Sequence, residues 1–314
     1  MAVEARALDL KGCKTLPVDD GLFDMLVGLE YQSKLPSFYA VRRPQSRSPT
    51  ILLAQFPHPI PTVPTAFSNV GAAKKSMDHL LQYISYCTTG QPQIVEGSGV
   101  TSYKQLTLLR EWEVSFLTLY QSAITEETNY RARIAYLILI STHALALIIV
   151  KSEAARCSEM LYDTLKPEYQ QIIKVSQEIL EVMPSNPLPN FVFEVGVLPP
   201  LHVAAMKCRI PRLRRELIRL LRSFPGQEGL WEGHGSAETC SWIMELEESG
   251  AASGLLDKTI DGTAEDAGLI PEWDRVRVSG MICNLDESRV WAQCTSVLPV
   301  AHGEHRVWEK TFTW

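Results

Sequence analysis

A mainly α fold, with several helices followed by a small antiparallel β meander at the carboxyl end, is what this sequence predicts. Three observations carry that expectation. Apolar residues recur at helical spacing through the stretch from Phe67 to Met183, and the run from Ile134 to Val150, "IAYLILISTHALALIIV", is apolar on every side. Beyond Asp274 the hydrophobic period drops from about 3.6 residues to about 2. The 314 residues, 46% hydrophobic and 21% charged, supply enough apolar material for a sizeable core and read as one domain spanning 1–314.

The elements follow in order. From Asp20 to Lys34 ("DGLFDMLVGLEYQSK"), Leu22, Met25, Leu26 and Leu29 share one side of a helix. Six prolines between Arg42 and Thr65 then make residues 42–65 an extended crossing loop. Helical spacing resumes at Phe67 and runs to about Tyr86, where Gly90 and Pro92 lie just beyond as stop signals. Ser102 and Gln105 stand at capping-box spacing and predict the start of the next helix, with Leu109, Trp112, Phe116 and Leu119 lining one face as far as Ala123. Glu126 and Glu127 place negative charge at the head of the helix that follows, where its dipole favours it.

That helix contains Ile134 to Val150. Its seventeen residues, interrupted in the middle by Ser141, Thr142 and His143, fall short of the roughly 20 mostly apolar residues a bilayer span requires. It is therefore expected to be the most buried helix of the fold, with His143 as a core histidine and no membrane as a partner. Pro167 suits the first turn of another helix, in which Tyr169, Ile172, Ile173, Ile179, Leu180 and Met183 form one stripe. Pro199 and Pro200 start the next, whose small apolar residues Leu201, Ala204, Ala205 and Cys208 predict close packing.

Charge raises the question of nucleic acid. The net charge of −6 gives no general footprint for a polyanion, yet six arginines fall between Arg209 and Arg222. Projected from Pro211, Leu213, Leu217, Leu220, Leu221 and Phe224 gather on one side of a helix, while Arg212, Arg215, Arg219 and Arg222 lie opposite. The next fifty residues, 225–274, carry twelve acids and one lysine. The stripe is therefore expected to be solvated or paired within the molecule, not docked on phosphates.

The carboxyl-terminal alternation runs through Val276 and Val278, then Cys283 and Leu285, turns near Glu287, and resumes with Val290, Ala292, Cys294 and Ser296. Trp308, Phe312 and Trp314 share one parity. Three short strands over residues 275–314 do not stand alone in water, so their apolar face is expected to pack on the helices.

The seven cysteines form no CxxC pair, and no hydrophobic leader is evident, so a reduced intracellular chain with cysteines as small core residues is expected. No GxSxG, HExxH, phosphate loop or GxGxxG appears. His234, beside Glu232 and Glu238 in "EGHGSAE", reads as part of a loop. No catalytic, cofactor-binding or metal residue is assigned, and no enzymatic activity is expected.

The order of the later motifs adds a resemblance. "LILISTHALALIIV", "YQQIIKVSQEIL", "FVFEVGVLPPLHVAAMKCRIPRLRRELIRLLRSFPGQEGLW", "IMELEE" and "RVRVSGM" resemble the regulatory domain of fungal binuclear-zinc-cluster transcription factors. The likeness covers residues 20–314 and is densest over 190–248, where "GVLPPL" (Gly196 to Leu201), "KCRIPRLRR" (Lys207 to Arg215) and "EGLW" (Glu228 to Trp231) keep the family's order and spacing. It implies a mostly helical regulatory domain, a nuclear location and service to metabolic or secondary-metabolite gene clusters. In that family a six-cysteine module touches DNA, and the arginine-rich helix belongs to the regulatory domain.

Two departures stand out. The six-cysteine module and the helices that usually follow it are absent, and Gly226 and Gln227 stand where relatives often carry a basic pair. Neither zinc nor direct nucleic-acid binding is therefore expected of this chain, which reads as a piece of a longer factor or a free-standing derivative. The partners implied are proteins of the transcription machinery or a complete zinc-cluster factor, together with a small-molecule effector. The alternative is a free-standing binding module, or a biosynthetic enzyme built on the same helical domain with an apolar pocket as its site.

Overall fold

A computed structural model of the chain describes residues 60–89, 98–124, 129–153, 158–183, 191–192, 196–224, 226–229, 231–254, 270–284, 287–299 and 303–313. The architecture is mainly α, with seven α-helices among the described residues and a three-stranded antiparallel sheet at the carboxyl end. The segment from Asp20 to Lys34 lies outside the described residues, as do Glu126 and Glu127; of the crossing loop, residues 60–65 are described and form neither helix nor strand.

Helix α1 (Val70–Thr89) starts where Asn69 Oδ1 accepts the Ala72 amide at 2.9 Å, an N-cap bond that satisfies one of the orphan donors of the first turn. Helix α2 (Ser98–Ile124) begins four residues before the predicted capping box, so Ser102 and Gln105 sit inside it and Gln105 is buried. Local cap spacing was overruled there. Helix α3 (Tyr130–Glu153) is capped by Asn129, whose Oδ1 accepts the Arg131 amide at 3.0 Å. It is long and apolar enough to cross a membrane by composition, yet two thirds of its apolar window is buried, packed against α1, α2 and α4 (Lys166–Val182). A 3₁₀ segment, Glu159–Leu165, leads into α4, with Pro167 in its first turn as predicted.

The most buried helix is not α3. In α5 (Leu198–Lys207) all ten residues are buried, including His202 and Lys207, because α3, α4, α6 (Pro211–Ser223) and α7 (Gly233–Gly254) enclose it. Ala204 and Ala205 have no exposed surface, and small side chains there let neighbouring helices approach. Helix α7 begins at Gly233, so His234 lies in its first turn and not in the loop that "EGHGSAE" suggests; that turn forms because Glu232 accepts the amides of His234 and Gly235 at 2.9 and 2.6 Å.

Strands β1 (Phe191–Val192), β2 (Gln227–Glu228) and β3 (Trp231–Glu232) form a small ribbon with no counterpart in the sequence pattern, each being only two residues long. The larger sheet orders β4 (Val276–Asn284), β5 (Arg289–Ser296) and β6 (Val307–Thr313) as a meander. A bulge between Val278 and Gly280 accounts for the jump in parity from Val276 and Val278 to Met281, which pairs with the buried Ala292. The sheet packs its inner face on α7, where the rings of Trp242 and Phe312 meet edge-on at 5.8 Å. Cys208, Cys240 and Cys294 are core residues, whereas Cys283 is exposed near the far end of β4.

Candidate functional site

The densest gathering of charged side chains is interior. Glu159, at the start of the 3₁₀ segment, receives both a bidentate contact from Lys207 Nζ (3.1 Å to each oxygen) and Arg277 Nε at 3.1 Å, with Arg209 Nη1 at 3.3 Å. On the other side of Arg209, Glu247 of α7 takes Arg209 Nη2 at 2.9 Å, Arg214 Nη1 at 2.6 Å and the Val276 amide at 3.0 Å. Arg275 completes the network, donating to the carbonyls of Ile270 and Glu159 and to Asp163. Lys207, Arg209, Arg214, Glu247 and Arg275 are each no more than 3% exposed.

Charges so placed persist only because they are paired. Burial works against the Glu159 carboxylate, but Lys207, Arg209 and Arg277 together pull its pKa down to about 2. Burial likewise opposes the charge on Glu247, and Arg209 and Arg214 hold its pKa below the ordinary value. Lys207 Nζ also lies 4.7 Å above the Tyr162 ring, and Tyr169 fixes that turn by donating its hydroxyl to the Tyr162 carbonyl at 3.0 Å.

A second junction lies at the amino end of α5. The Glu228 carboxylate accepts the amides of Gly196, Val197 and Leu198 at 3.1, 3.1 and 2.9 Å, so one side chain of β2 caps the helix that "GVLPPL" begins. A side chain at Gly196 would overlap that carboxylate. Burial pushes the pKa of Glu228 up to about 7, against the three amide donors that favour its charged form. Gly226 has φ of 90°, a conformation open to glycine and rarely to other residues. Trp231 of the same segment packs on His202 with ring centroids 4.7 Å apart, and burial lowers the pKa of His202 to about 3.

The arginine stripe behaves as its projection predicts. Arg212, Arg215, Arg219 and Arg222 are exposed. Arg215 pairs with Glu248 at 2.8 Å, Arg219 with Glu216 at 2.6 Å and Arg222 with Glu238 at 3.0 Å. His234 is exposed in the first turn of α7, while Glu232 caps that turn and Glu238 faces Arg222, so the three do not converge. His143 is buried, stacked on Trp112 at 5.5 Å with Nε2 3.2 Å from the Leu109 carbonyl. Among the described residues no group of three or more His, Cys, Asp or Glu is placed to hold a metal ion.

The interior network was not singled out from the sequence, although one signal pointed to it. Projected with its neighbours, Arg214 falls beside Leu221 on the apolar side of α6, apart from the other four arginines of that helix. Arg209, in the link between α5 and α6, carries no periodic signal. Fold and site together define a mainly α protein with a carboxyl-terminal β meander, whose motif-bearing segments are clamped by buried ion pairs. No protein-family model, no curated protein and no solved structure matches this chain.

Proposed function

We propose that the chain is a regulatory protein of the transcription-factor class, acting in the nucleus through contacts with protein partners or a small-molecule effector and without a DNA-binding module of its own. One convergence supports this reading. The blocks on which the family resemblance rests, far apart in sequence, meet through specific side chains: "GVLPPL" with "EGLW" through Glu228, and "KCRIPRLRR" with "IMELEE" and "RVRVSGM" through Arg209, Arg214 and Glu247. Residues that must meet to close one fold travel together as a signature, so their joint presence favours the regulatory domain over a chance likeness. The exposed arginines add to it, since three of them already face carboxylates.

The test fuses the full chain to a heterologous DNA-binding module upstream of a reporter gene and follows its location by fluorescence. The expected result is nuclear accumulation with reporter output changed severalfold, up or down, relative to the module alone. A folded fusion that leaves the reporter unchanged overturns the proposal.

A further inference from the structure

Glu228 does two things at the amino end of α5. Its carboxylate fills the anion position made by the amides of Gly196, Val197 and Leu198, and its backbone holds β2 between β1 and β3. Bare amides at a helix start favour an anion of any origin, and Gly196 lets the carboxylate come close, since a side chain there would overlap it. Glu228 itself is half-buried, so it stands between this helix end and solvent.

Beside it lie polar groups that nothing among the described residues satisfies. His202 Nε2 and Trp231 Nε1 are buried without a hydrogen-bond partner, in residues 1% and 3% exposed. Both belong to the same place as the carboxylate. Glu228 and Trp231 are register partners in the ribbon, and directly opposed residues of an antiparallel pair project from one face. That face lies on α5, where the Trp231 ring meets His202. His202 stands one turn beyond Leu198, and a helical side chain leans back toward the amino end. On its other edge, Nδ1 lies 3.8 Å from Cys240 Sγ, whose thiol donates to the His202 carbonyl at 3.8 Å. With the thiol proton directed at that carbonyl, Nδ1 carries the ring proton and Nε2 is a bare acceptor beside the Trp231 N–H donor.

We propose that the amino end of α5 is a binding site for a small hydroxy acid, whose carboxylate takes the place of Glu228 and whose hydroxyl bridges Trp231 Nε1 and His202 Nε2. A hydroxyl suits that pair because it accepts from one group and donates to the other. Glu228 is then a built-in competitor. Entry requires the strap Gln227–Glu228 to swing outward. Gly226 and Gly229 flank the strap with φ of 90° and 55°, and each strand of the ribbon is only two residues long, so few backbone bonds resist the movement. Burial also works against the Glu228 carboxylate, so the chain's own occupant is held less firmly than its amide bonds suggest. The inference deepens the effector reading of the proposed function and rests on it for biological purpose; because binding is read without a reporter, either can fail alone.

The experiment titrates the isotopically labelled full chain with glycolate and follows by NMR the amides of Gly196, Val197 and Leu198 and the indole N–H of Trp231. These signals are expected to shift together and to saturate. Glu228→Ala is expected to bind about tenfold more tightly, since a competitor that fills a site nine-tenths of the time lowers the apparent affinity by that factor. Trp231→Phe, which leaves Glu228 in place, is expected to bind glycolate about fivefold more weakly, for one lost hydrogen bond, and acetate as before. If Glu228→Ala does not fold, the wild-type titration and Trp231→Phe decide by the same criteria. No saturable shift in either the wild-type chain or Glu228→Ala, an equal response to chloride, or glycolate binding that Trp231→Phe leaves unchanged each overturns the proposal.

Discussion

The six arginines from Arg209 to Arg222 divide into two populations that sequence proximity conceals. Arg209 and Arg214 are 1% and 2% exposed and share the carboxylate of Glu247, while Arg215, Arg219 and Arg222 pair with glutamates in contact with water. The distances are alike, from 2.6 to 3.0 Å in these pairs. Their energetics are not. An exposed pair is screened by solvent and contributes about 0–1 kcal/mol, whereas a buried charge that loses its partner has neither water nor counter-charge. Geometry alone therefore says little about what an ion pair does; the dielectric around it decides.

The largest expected effect follows directly. Glu247→Ala leaves Arg214 without its carboxylate partner in the core, leaves Arg209 with Glu159 alone, and frees the Val276 amide. It is expected to cost about 3–5 kcal/mol, read as a lower midpoint in urea unfolding or as failure to accumulate folded protein. A wild-type midpoint for that variant would show that the pairs are solvated and the two populations equivalent.

Packing in the same region supplies the next step down. Ala204→Leu forces a larger side chain into a position with no exposed surface inside the most enclosed helix. Overpacking of that kind costs about 1–3 kcal/mol, and the melting temperature of the variant measures it. An unchanged melting temperature would mean that the core around Lys207 and Arg209 yields, which would weaken the case for rigidly held buried charge.

The interior titratable groups separate by sign. An unfolded histidine takes a proton as pH falls below 6.5, but buried His202 resists until about 3, so its contribution is present above 6.5 and is lost as pH falls from 6.5 toward 3. Glu228 works oppositely: its pKa rises from 4.5 to about 7 on folding, so its contribution is present below 4.5 and is lost as pH rises to about 7. The stability of the wild-type chain relative to Glu228→Gln is therefore expected to decline as pH rises across that window. Urea midpoints at pH 5 and pH 7.5 check it, and a difference that grows with pH would mean that the three amides hold Glu228 as an anion throughout.

The smallest effect belongs to the exposed stripe. Changing Arg215, Arg219 and Arg222 together to Ser is expected to lower stability by about 0.2–1 kcal/mol per pair and to leave binding to random-sequence duplex at low salt unaltered. Tight binding that falls steeply with salt and disappears in the triple variant would make this face a phosphate-binding surface.

Periodicity made much of this molecule legible in its sequence. Local spacing suffices to mark the stripe of Tyr169, Ile172, Ile173 and Ile179, the opposition of leucines and arginines on α6, and the switch to period 2 after Asp274, because burial on one side of a helix or strand repeats every turn or every second residue. Even the bulge in β4 showed as a jump in parity from Val278 to Cys283. The start of α2 and of α7 did not, because a capping signal is a single local hydrogen bond that neighbouring packing readily outweighs.

Tertiary structure alone decided which helix lies innermost and which charges lie inside. The long apolar run from Ile134 to Val150 favoured α3, but α5 is enclosed because four helices surround it, and enclosure is a property of neighbours rather than of residues. In the same way nothing in "KCRIPRLRR" or "IMELEE" says that Arg209 and Glu247, 38 positions apart, share a hydrogen bond. The sequence by itself determined the class of fold, the amphipathic elements and the charge of each segment, all of which follow from local chemistry. Which carboxylate meets which guanidinium, and whether water is present when they meet, depends on how distant segments pack, and that is why the buried network became visible only in three dimensions.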